Sequence, residues 1–164
     1  MSPKKVMKTS HNQKSLPAIP GARVAILQSK WYREYTDKMV ERCIEVLSKA
    51  ECPRPEVHIL PGSLELPIAA KTLAEKKDSK PDAIVCFGAI IKGDTYHFEM
   101  VLNECSRGLG QVSLDCNIPI IVEVVPCTNI EQLIKRSGND DFNKGIEAAI
   151  ATAEIIAWRR GQAG

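Results

Sequence analysis

The sequence has few aromatic residues and almost no excess of charge of either sign. Aromatic residues make up 5% of the 164 positions, and the formal net charge is +2 at pH 7. A chain this close to neutral has no broad basic surface, so we expect no nucleic-acid partner. The hydrophobic fraction of 44% is that of an ordinary globular protein, and the length is typical of one domain with a substantial core.

Long apolar runs and paired cysteines are also absent. No stretch has the length of a transmembrane helix or the form of a secretory signal, so we expect no membrane partner. The six cysteines form no CxxC pair and no spacing typical of a zinc site. We therefore expect neither structural disulfides nor a metal centre, and the reducing cytoplasm is the favoured location.

The first 20 residues differ in composition from the rest of the chain. They contain several lysines and few apolar side chains, and two prolines near their end resist both helix and central strand. This pattern predicts a flexible N-terminal arm over residues 1–20, ahead of an α/β domain over residues 21–164. A weakly basic address signal is the alternative interpretation of the arm.

Short apolar runs alternate with amphipathic segments beyond the arm. The runs are typical of buried parallel strands, and the amphipathic segments are typical of helices that cover a sheet. Strands are predicted at residues 23–28, 56–60, 82–87 and 118–125, and helices are predicted to begin near residues 35, 63, 97, 128 and 146. The alternation predicts a single three-layer α/β/α domain with a doubly wound, mostly parallel sheet.

Residues 88–99 (GAIIKGDTYHFE) are where we expect the ligand-binding chemistry. They join the most apolar predicted strand to a helical pattern that begins at His97, and ligands of open α/β sheets bind at such carboxyl ends. Gly93 allows close approach of the backbone, and the amides of Asp94 and Thr95 can face an anion. Imidazole titrates near neutral pH, which suits His97 to proton transfer. The alternative is a loop histidine that donates one hydrogen bond.

Two further corners between a strand and a helix carry candidate binding residues. Trp31 follows the first predicted strand, where its indole can stack on a flat heterocycle or simply cap the end of the sheet. Ser63 and Glu65 follow the second predicted strand. The local argument favours Ser63 as a helix N-cap and Glu65 as a partner of the helix dipole. The alternative is that both hold a polyhydroxylated ligand.

Three segments carry a resemblance to a known family: residues 61–67 (PGSLELP), 91–99 (IKGDTYHFE) and 143–149 (NKGIEAA). They occur in this order, with residues 130–132 (IEQ) and Arg136 between the last two. On these segments the chain resembles the lumazine synthases over about residues 23–160. The resemblance implies a flavodoxin-like sheet and a transferase reaction of riboflavin biosynthesis that needs no cofactor. In that reaction 5-amino-6-(D-ribitylamino)uracil condenses with 3,4-dihydroxy-2-butanone 4-phosphate to give 6,7-dimethyl-8-ribityllumazine, phosphate and water.

The resemblance also implies roles for individual residues. His97 is similar to the histidine that transfers protons in the family, Arg136 to the arginine that receives the phosphate, and Lys144 to a lysine near the site. The remaining positions correspond to substrate contacts: Trp31 on the pyrimidine, Ser63, Leu64 and Glu65 on the ribityl chain, Ala89, Ile90 and Ile91 around the uracil, and Asp94 and Thr95 at the phosphate.

Residues 121–126 (IVEVVP) depart from the family pattern, which commonly has a Phe-Gly pair here. Val122 stands where relatives carry an aromatic side chain that covers the substrate from a neighbouring subunit. Glu123 replaces glycine and adds a carboxylate at the site or its rim. We expect these changes to alter affinity more than activity.

The resemblance further implies a homo-oligomer with sites shared between subunits. Members of the family form pentamers, sometimes assembled into a sixty-chain icosahedral shell, and Val122, Arg136 and Lys144 would reach the next chain's pocket. The chain is expected to form an assembly that contains pentamers, with a lone pentamer, a decamer and a shell all left open.

Three other functions remain as alternatives: a flavin or lumazine carrier without catalysis, a related synthase that acts on the lumazine product, and a phospho-receiver module. The receiver is disfavoured because residues 29–31 (SKW) and 88–90 (GAI) lack its aspartates.

Overall fold

A computed structural model of the chain describes residues 15–163. Four strands and five α-helices alternate within these residues: β1 (Val24–Ser29), α1 (Arg33–Lys49), β2 (Glu56–Leu60), α2 (Leu66–Ala74), β3 (Ala83–Ile91), α3 (His97–Asp115), β4 (Ile120–Cys127), α4 (Ile130–Arg136) and α5 (Lys144–Gln162). A short 3₁₀ turn at Ser63–Glu65 precedes α2.

All four strands are parallel and lie in the order β2-β1-β3-β4. The two most buried strands, β1 and β3, occupy the centre, and β3 is buried along almost its whole length. Parallel strands need crossover connections, and here each crossover contains a helix. The predicted single α/β domain with three layers and a flavodoxin-like sheet is confirmed.

The core lies in two layers, one on each face of the sheet. On one face α1 and α5 pack over Ile26 and Phe87, and on the other α2 and α3 pack over Leu27 and Cys86. Successive residues of β1 and β3 therefore alternate between the two layers, as the pleat of a strand requires. Full burial of each large apolar side chain contributes roughly 1.5–3 kcal/mol, so both layers are needed to hold the sheet.

Helix α5 approaches the backbone of α1 closely at Gly145. A Cβ atom at this position would overlap the carbonyl oxygen of Met39 and lie 2.8 Å from its carbonyl carbon. Asn143 fixes the turn that delivers Gly145: its Oδ1 accepts a hydrogen bond from the Gly145 amide at 2.7 Å, and its Nδ2 donates to the Gly138 carbonyl at 2.8 Å. The Asn-Lys-Gly sequence at the start of α5 therefore has a structural reason that is independent of any ligand.

The N-terminal arm predicted over residues 1–20 lies mostly outside the described residues. At its described end, Ile19 is fully buried and its amide donates a 2.8 Å hydrogen bond to the carbonyl of Ala50. Leu16 also packs against the α1–α5 layer. The packed domain therefore begins before the predicted boundary at residue 20. Only Ala18 and Ile19 lie between the two prolines, and so short an apolar segment gives no periodic signal, so Ile19 was predicted to belong to the arm.

Several predicted boundaries shift in the structure. Strand β3 continues to Ile91 instead of ending at residue 87, because its last residues pair with the end of β4, Ile91 opposite Cys127. Strand β4 begins after Pro119, whose carbonyl accepts a 3.0 Å hydrogen bond from the Ile84 amide. The sequence pattern after Ser63 predicts one apolar face that includes Ile68, Leu73 and Ala74; this is wrong for Ile68, which is 64% exposed, whereas Leu73 and Ala74 are buried. Helix α2 begins at Leu66, and its buried residues lie on the side of the helix opposite Ile68: Leu66, Ala70, Leu73 and Ala74.

Residues 128–131 have the sequence of a capping box with Thr128 as the N-cap, but the N-terminus of α4 is capped one residue later. Asn129 accepts a 3.0 Å hydrogen bond from the Gln132 amide, and the Gln132 side chain accepts one of 2.9 Å from the amide of Thr128. The cap is therefore Asn129 and its reciprocal partner is Gln132. The Asn129 bond is that of a capping box, whereas the Gln132 side chain bonds the amide of the residue before the cap.

The six cysteines are all free thiols, and only Cys116 is not buried. Burial raises the pKa of Cys105 to about 11 and raises the pKa of Cys43 and Cys86 further, so these thiols pack as small apolar side chains. Between residues 15 and 163, none of the helices has both the length and the apolar character that crossing a membrane requires.

We expect the substitution Gly145→Ala to lower the free energy of unfolding by about 1–3 kcal/mol, because the added methyl group must push α5 away from the Met39 carbonyl. Urea denaturation followed by circular dichroism measures the change.

The matched control is Gly110→Ala in α3, where an added Cβ meets no atom within 4 Å. Alanine has the higher helix propensity, so this variant should be as stable as the parent or more stable by about 0.5–1 kcal/mol. Equal losses of stability in the two variants would contradict the close approach at Gly145.

Candidate active site

The carboxyl ends of β1, β2 and β3 open into one cavity of ≈ 340 Å³. Its volume lies within the range of small-molecule sites in proteins. The segments after these three strands line it, with the first turn of α3 forming a further wall. The cavity therefore occupies the edge of the sheet where ligands of open α/β folds bind.

Trp31 stands at the corner between β1 and α1 and lines this cavity. Its amide donates a 3.4 Å hydrogen bond to Oγ of Ser29, and Nζ of Lys30 lies 5.5 Å from the centroid of the indole ring. The side chain is 60% exposed, so it does not seal the end of the sheet as a buried cap would. The indole is accessible to a flat ligand in the cavity.

The segment after β2 contributes Ser63, Leu64 and Glu65 to the cavity, all in the short 3₁₀ turn. The prediction that Ser63 caps the following helix is wrong. Gly62 precedes the turn, Glu65 precedes α2, and neither helix start has a side-chain capping bond. The buried Ser63 hydroxyl lies instead against β3, 3.2 Å from where a Cβ of Gly88 would be. Pro67 falls in the first turn of α2, where proline is tolerated.

The end of β3 and the loop after it supply the other predicted residues. Ala89, Ile90 and Ile91 line the cavity, as do Thr95 and His97. His97 is the first residue of α3, in agreement with the predicted helix start, and its amide donates a 3.4 Å hydrogen bond to Oγ1 of Thr95. Asp94 lies exposed in the same loop but does not line the cavity.

Arg136, Lys144 and Val122 lie apart from the cavity of their own chain. Val122 is 42% exposed on β4, the outer strand of the sheet on this side. Arg136 ends α4, where its Nη1 donates a 3.1 Å hydrogen bond to the Gln132 carbonyl. Burial raises the pKa of Cys127 and the nearby Arg136 guanidinium partly offsets that rise, so Arg136 lies close to the carboxyl end of β4.

Lys144 opens α5 and forms a 2.6 Å ion pair with Glu147. Glu123 on β4 faces this pair from the sheet, because it lies opposite Phe87 in the register and so points to the α1–α5 layer. Burial and then the Glu147 carboxylate raise the pKa of Glu123 to about 8, while Lys144 partly offsets the rise. The Glu123 carboxylate thus joins a charged cluster beside Lys144.

Three residues that sequence reasoning did not assign to binding also line the cavity: Tyr32, Phe98 and Val101. Phe98 and Val101 belong to the apolar face of α3, which packs on the sheet and continues into the cavity wall. Gly93 also lines the cavity, and the sequence predicted it only as a position where the backbone can come close to a ligand. Tyr32 had no signal, since nothing in the spacing after β1 marks it.

The lining combines an exposed aromatic ring with a few polar groups. A hydroxyl and a carboxylate lie after β2, and a hydroxyl and an imidazole lie after β3. Within residues 15–163 no three His, Cys, Asp or Glu side chains are grouped so that they could hold a metal ion. The cavity suits an organic ligand with a flat ring and a polar chain, and a histidine is available for proton transfer.

The fold and the cavity together define a class of protein: a parallel α/β domain with a small-molecule cleft at the carboxyl ends of its central strands. Residues 21–160 of the 164 match the family model for 6,7-dimethyl-8-ribityllumazine synthase. The chain therefore belongs to the lumazine synthase family. Members of this family are transferases that make 6,7-dimethyl-8-ribityllumazine in riboflavin biosynthesis.

The raised pKa of Glu123 makes stability depend on pH with a defined sign. A carboxyl group whose pKa is higher in the folded state binds more protons there than in the unfolded chain. The free energy of unfolding therefore falls as pH rises from the ordinary 4.5 through about 8. We expect Glu123→Gln to remove this pH-dependent loss of stability. Above about pH 8 the variant should have a free energy of unfolding higher by roughly 1–3 kcal/mol, and below pH 4.5 it should differ little from the parent.

Thermal unfolding of the two proteins across this pH range measures the difference. Glu154→Gln is the control, because this glutamate is exposed on the same helix as Glu147. The control should follow the parent at every pH. A stability difference between Glu123→Gln and the parent that stays constant with pH would contradict the charged cluster.

Proposed function

We propose that this chain condenses 5-amino-6-(D-ribitylamino)uracil with 3,4-dihydroxy-2-butanone 4-phosphate, forming 6,7-dimethyl-8-ribityllumazine and releasing phosphate and water. The observation that carries the proposal is the meeting of Trp31, the Ser63–Glu65 turn and His97 in one cavity of a chain that belongs to this family. An aromatic ring, acceptors for hydroxyl groups and a proton carrier are the groups that this reaction requires.

The pyrimidine substrate is assigned to the part of the cavity formed by β1, β2 and β3. The exposed indole of Trp31 offers a stacking surface for the uracil ring. The Ser63 hydroxyl and the Glu65 carboxylate can accept hydrogen bonds from ribityl hydroxyl groups, with Leu64 between them. The backbone from Ala89 to Ile91 borders the ring on the side of β3.

His97 is assigned to proton transfer. The substrate's own amine attacks the ketone, so the protein needs no nucleophile of its own and the reaction no cofactor. Schiff-base formation, loss of phosphate and ring closure each move protons, which a neutral imidazole can accept and return. Much of the remaining acceleration comes from holding two small molecules in register, which can supply up to about 7–11 kcal/mol.

The phosphate is assigned to the loop after β3 together with a guanidinium. The amides of Asp94 and Thr95 lie just before the first turn of α3, where backbone N–H groups favour an anion. Arg136 supplies the charge-assisted fork that suits a phosphate. Lys144 is assigned a place near the reacting groups.

Arg136, Lys144 and Val122 are assigned to the cavity of a neighbouring chain. None of the three lines the cavity of its own chain, and all lie on β4 or on the helices that follow it. A head-to-tail contact that closes into a pentamer brings such an edge to the next subunit's cavity in every copy. The assignment is the same for a lone pentamer, a decamer and an icosahedral shell.

We place the reaction in the cytoplasm, with two small-molecule substrates and other copies of the chain as its partners. Six free thiols support a reducing compartment. No nucleic acid or membrane takes part in the proposed chemistry.

Replacement of the guanidinium tests the phosphate assignment. We expect Arg136→Ala to raise the KM for the butanone phosphate by about tenfold or more, because a charge-assisted pair contributes roughly 1.5–3 kcal/mol. The KM for the pyrimidine should change little. Steady-state kinetics followed by lumazine absorbance gives both values. Lys135→Ala removes a cation from the same turn of α4 and should leave both unchanged. An unaltered KM for the phosphate substrate in Arg136→Ala would refute the assignment.

His97→Ala tests the proton-transfer role in the same assay. We expect kcat to fall modestly, by roughly 10–100-fold, because water can replace part of the imidazole's function. His58→Ala on β2, outside the cavity, serves as control and should retain full activity. Binding of the pyrimidine by the parent protein without any turnover would instead indicate a carrier.

A further inference from the structure

Tyr32 combines a strained backbone with a place in the cavity wall. Its φ of 57° and ψ of 35° put it in the left-handed region, which costs free energy for a residue with a bulky side chain. Three other non-glycine residues in the range 15–163 have positive φ: Glu51, Ser79 and Asn117. None of these three lines the cavity, whereas Tyr32 does.

The start of α1 does not require a tyrosine at this position. The Tyr32 carbonyl accepts hydrogen bonds from the amides of Tyr35 at 3.0 Å and Thr36 at 3.1 Å, and any residue can supply that carbonyl. The Tyr32 side chain makes no capping hydrogen bond. Asparagine or glycine would adopt the same backbone at lower cost. The helix start therefore explains the left-handed turn but not the phenol ring.

Packing does not explain the ring either. Tyr32 is 40% exposed and belongs to neither layer of the core, in contrast to Tyr35, which packs against the α1–α5 layer. Aromatic residues make up only 5% of the chain, yet two of them, Trp31 and Tyr32, stand side by side at this cavity. A strained backbone at a residue whose side chain stabilises neither the helix start nor the core is typical of residues that contact a ligand.

We infer that Tyr32 is a substrate-contacting residue whose ring extends the aromatic wall begun by Trp31 and selects flat heterocyclic ligands. The left-handed turn after β1 places the rings of the consecutive residues Trp31 and Tyr32 at the cavity. The inference rests on the proposed function for the identity of that heterocycle, the ribitylated pyrimidine and its lumazine product. The phenol ring contributes a face or an edge to the heterocycle, and either arrangement is favourable for aromatic pairs.

Two substitutions at Tyr32 distinguish the contribution of the phenol ring to binding from the effect of the left-handed backbone on stability. Tyr32→Asn removes the ring and suits the left-handed backbone, so the unfolding temperature should rise by about 2–4 °C. The same variant should bind 6,7-dimethyl-8-ribityllumazine roughly 2–10-fold more weakly, the range that an aromatic contact supports. Tyr32→Phe retains the ring and should keep the parent's affinity. Fluorescence titration of the assembled protein with this lumazine measures binding.

Glu51→Gly is the matched control, because Glu51 has a similar φ of 59° and lies outside the cavity. It should gain stability in the same way and bind the lumazine as the parent does. A purely structural Tyr32 would behave like Glu51, so unchanged binding in Tyr32→Asn, with the parent binding normally, would overturn this inference and leave the proposed function standing. Loss of binding in Tyr32→Phe equal to that in Tyr32→Asn would also overturn it. Absence of lumazine binding in the parent would overturn both.

Discussion

Strands β1 and β3 run parallel and side by side through five paired positions, from Val24 opposite Ala83 to Gln28 opposite Phe87, and this pairing places the cavity. The chain leaves β1 into α1 on one face of the sheet and leaves β3 into α3 on the other face. Because the two helices diverge, a crevice opens between the ends of the two strands. Trp31 borders it on one side and His97 on the other. Loss of the β1–β3 register would separate these side chains.

The outer strand β4 gives the molecule a second set of functional candidates. Val122 is exposed on it, Arg136 lies near its carboxyl end, and Glu123 faces Lys144 from it. The position of Lys144 depends in turn on the close approach of α5 to α1 at Gly145. A single chain therefore presents a cavity around the ends of β1, β2 and β3 and a charged edge along β4. In the proposed enzyme these two surfaces meet only between subunits.

Local sequence predicted the parts of the site that contiguous residues encode. The start of α3 at His97 is confirmed, because the turn and the helical period lie in one stretch. The cap assigned to Ser63 is wrong, because sequence cannot tell whether a hydroxyl meets its own helix or the neighbouring strand at Gly88. The burial of Ile19 depends on a distant contact with Ala50. The left-handed turn at Tyr32 depends on the path from β1 to α1, which leaves no mark in residue spacing.

Mixed assemblies test most directly whether the catalytic site is shared between subunits. One chain would carry Trp31→Ala and His97→Ala, which damage the cavity, and the other Arg136→Ala and Lys144→Ala, which damage the β4 edge. Each alone should be nearly inactive. When the two chains are co-expressed in equal amounts, about a quarter of the interfaces combine an intact cavity with an intact edge, so lumazine synthesis should return to about a quarter of the parent rate. Activity no greater than that of the two variants assembled separately would contradict the account.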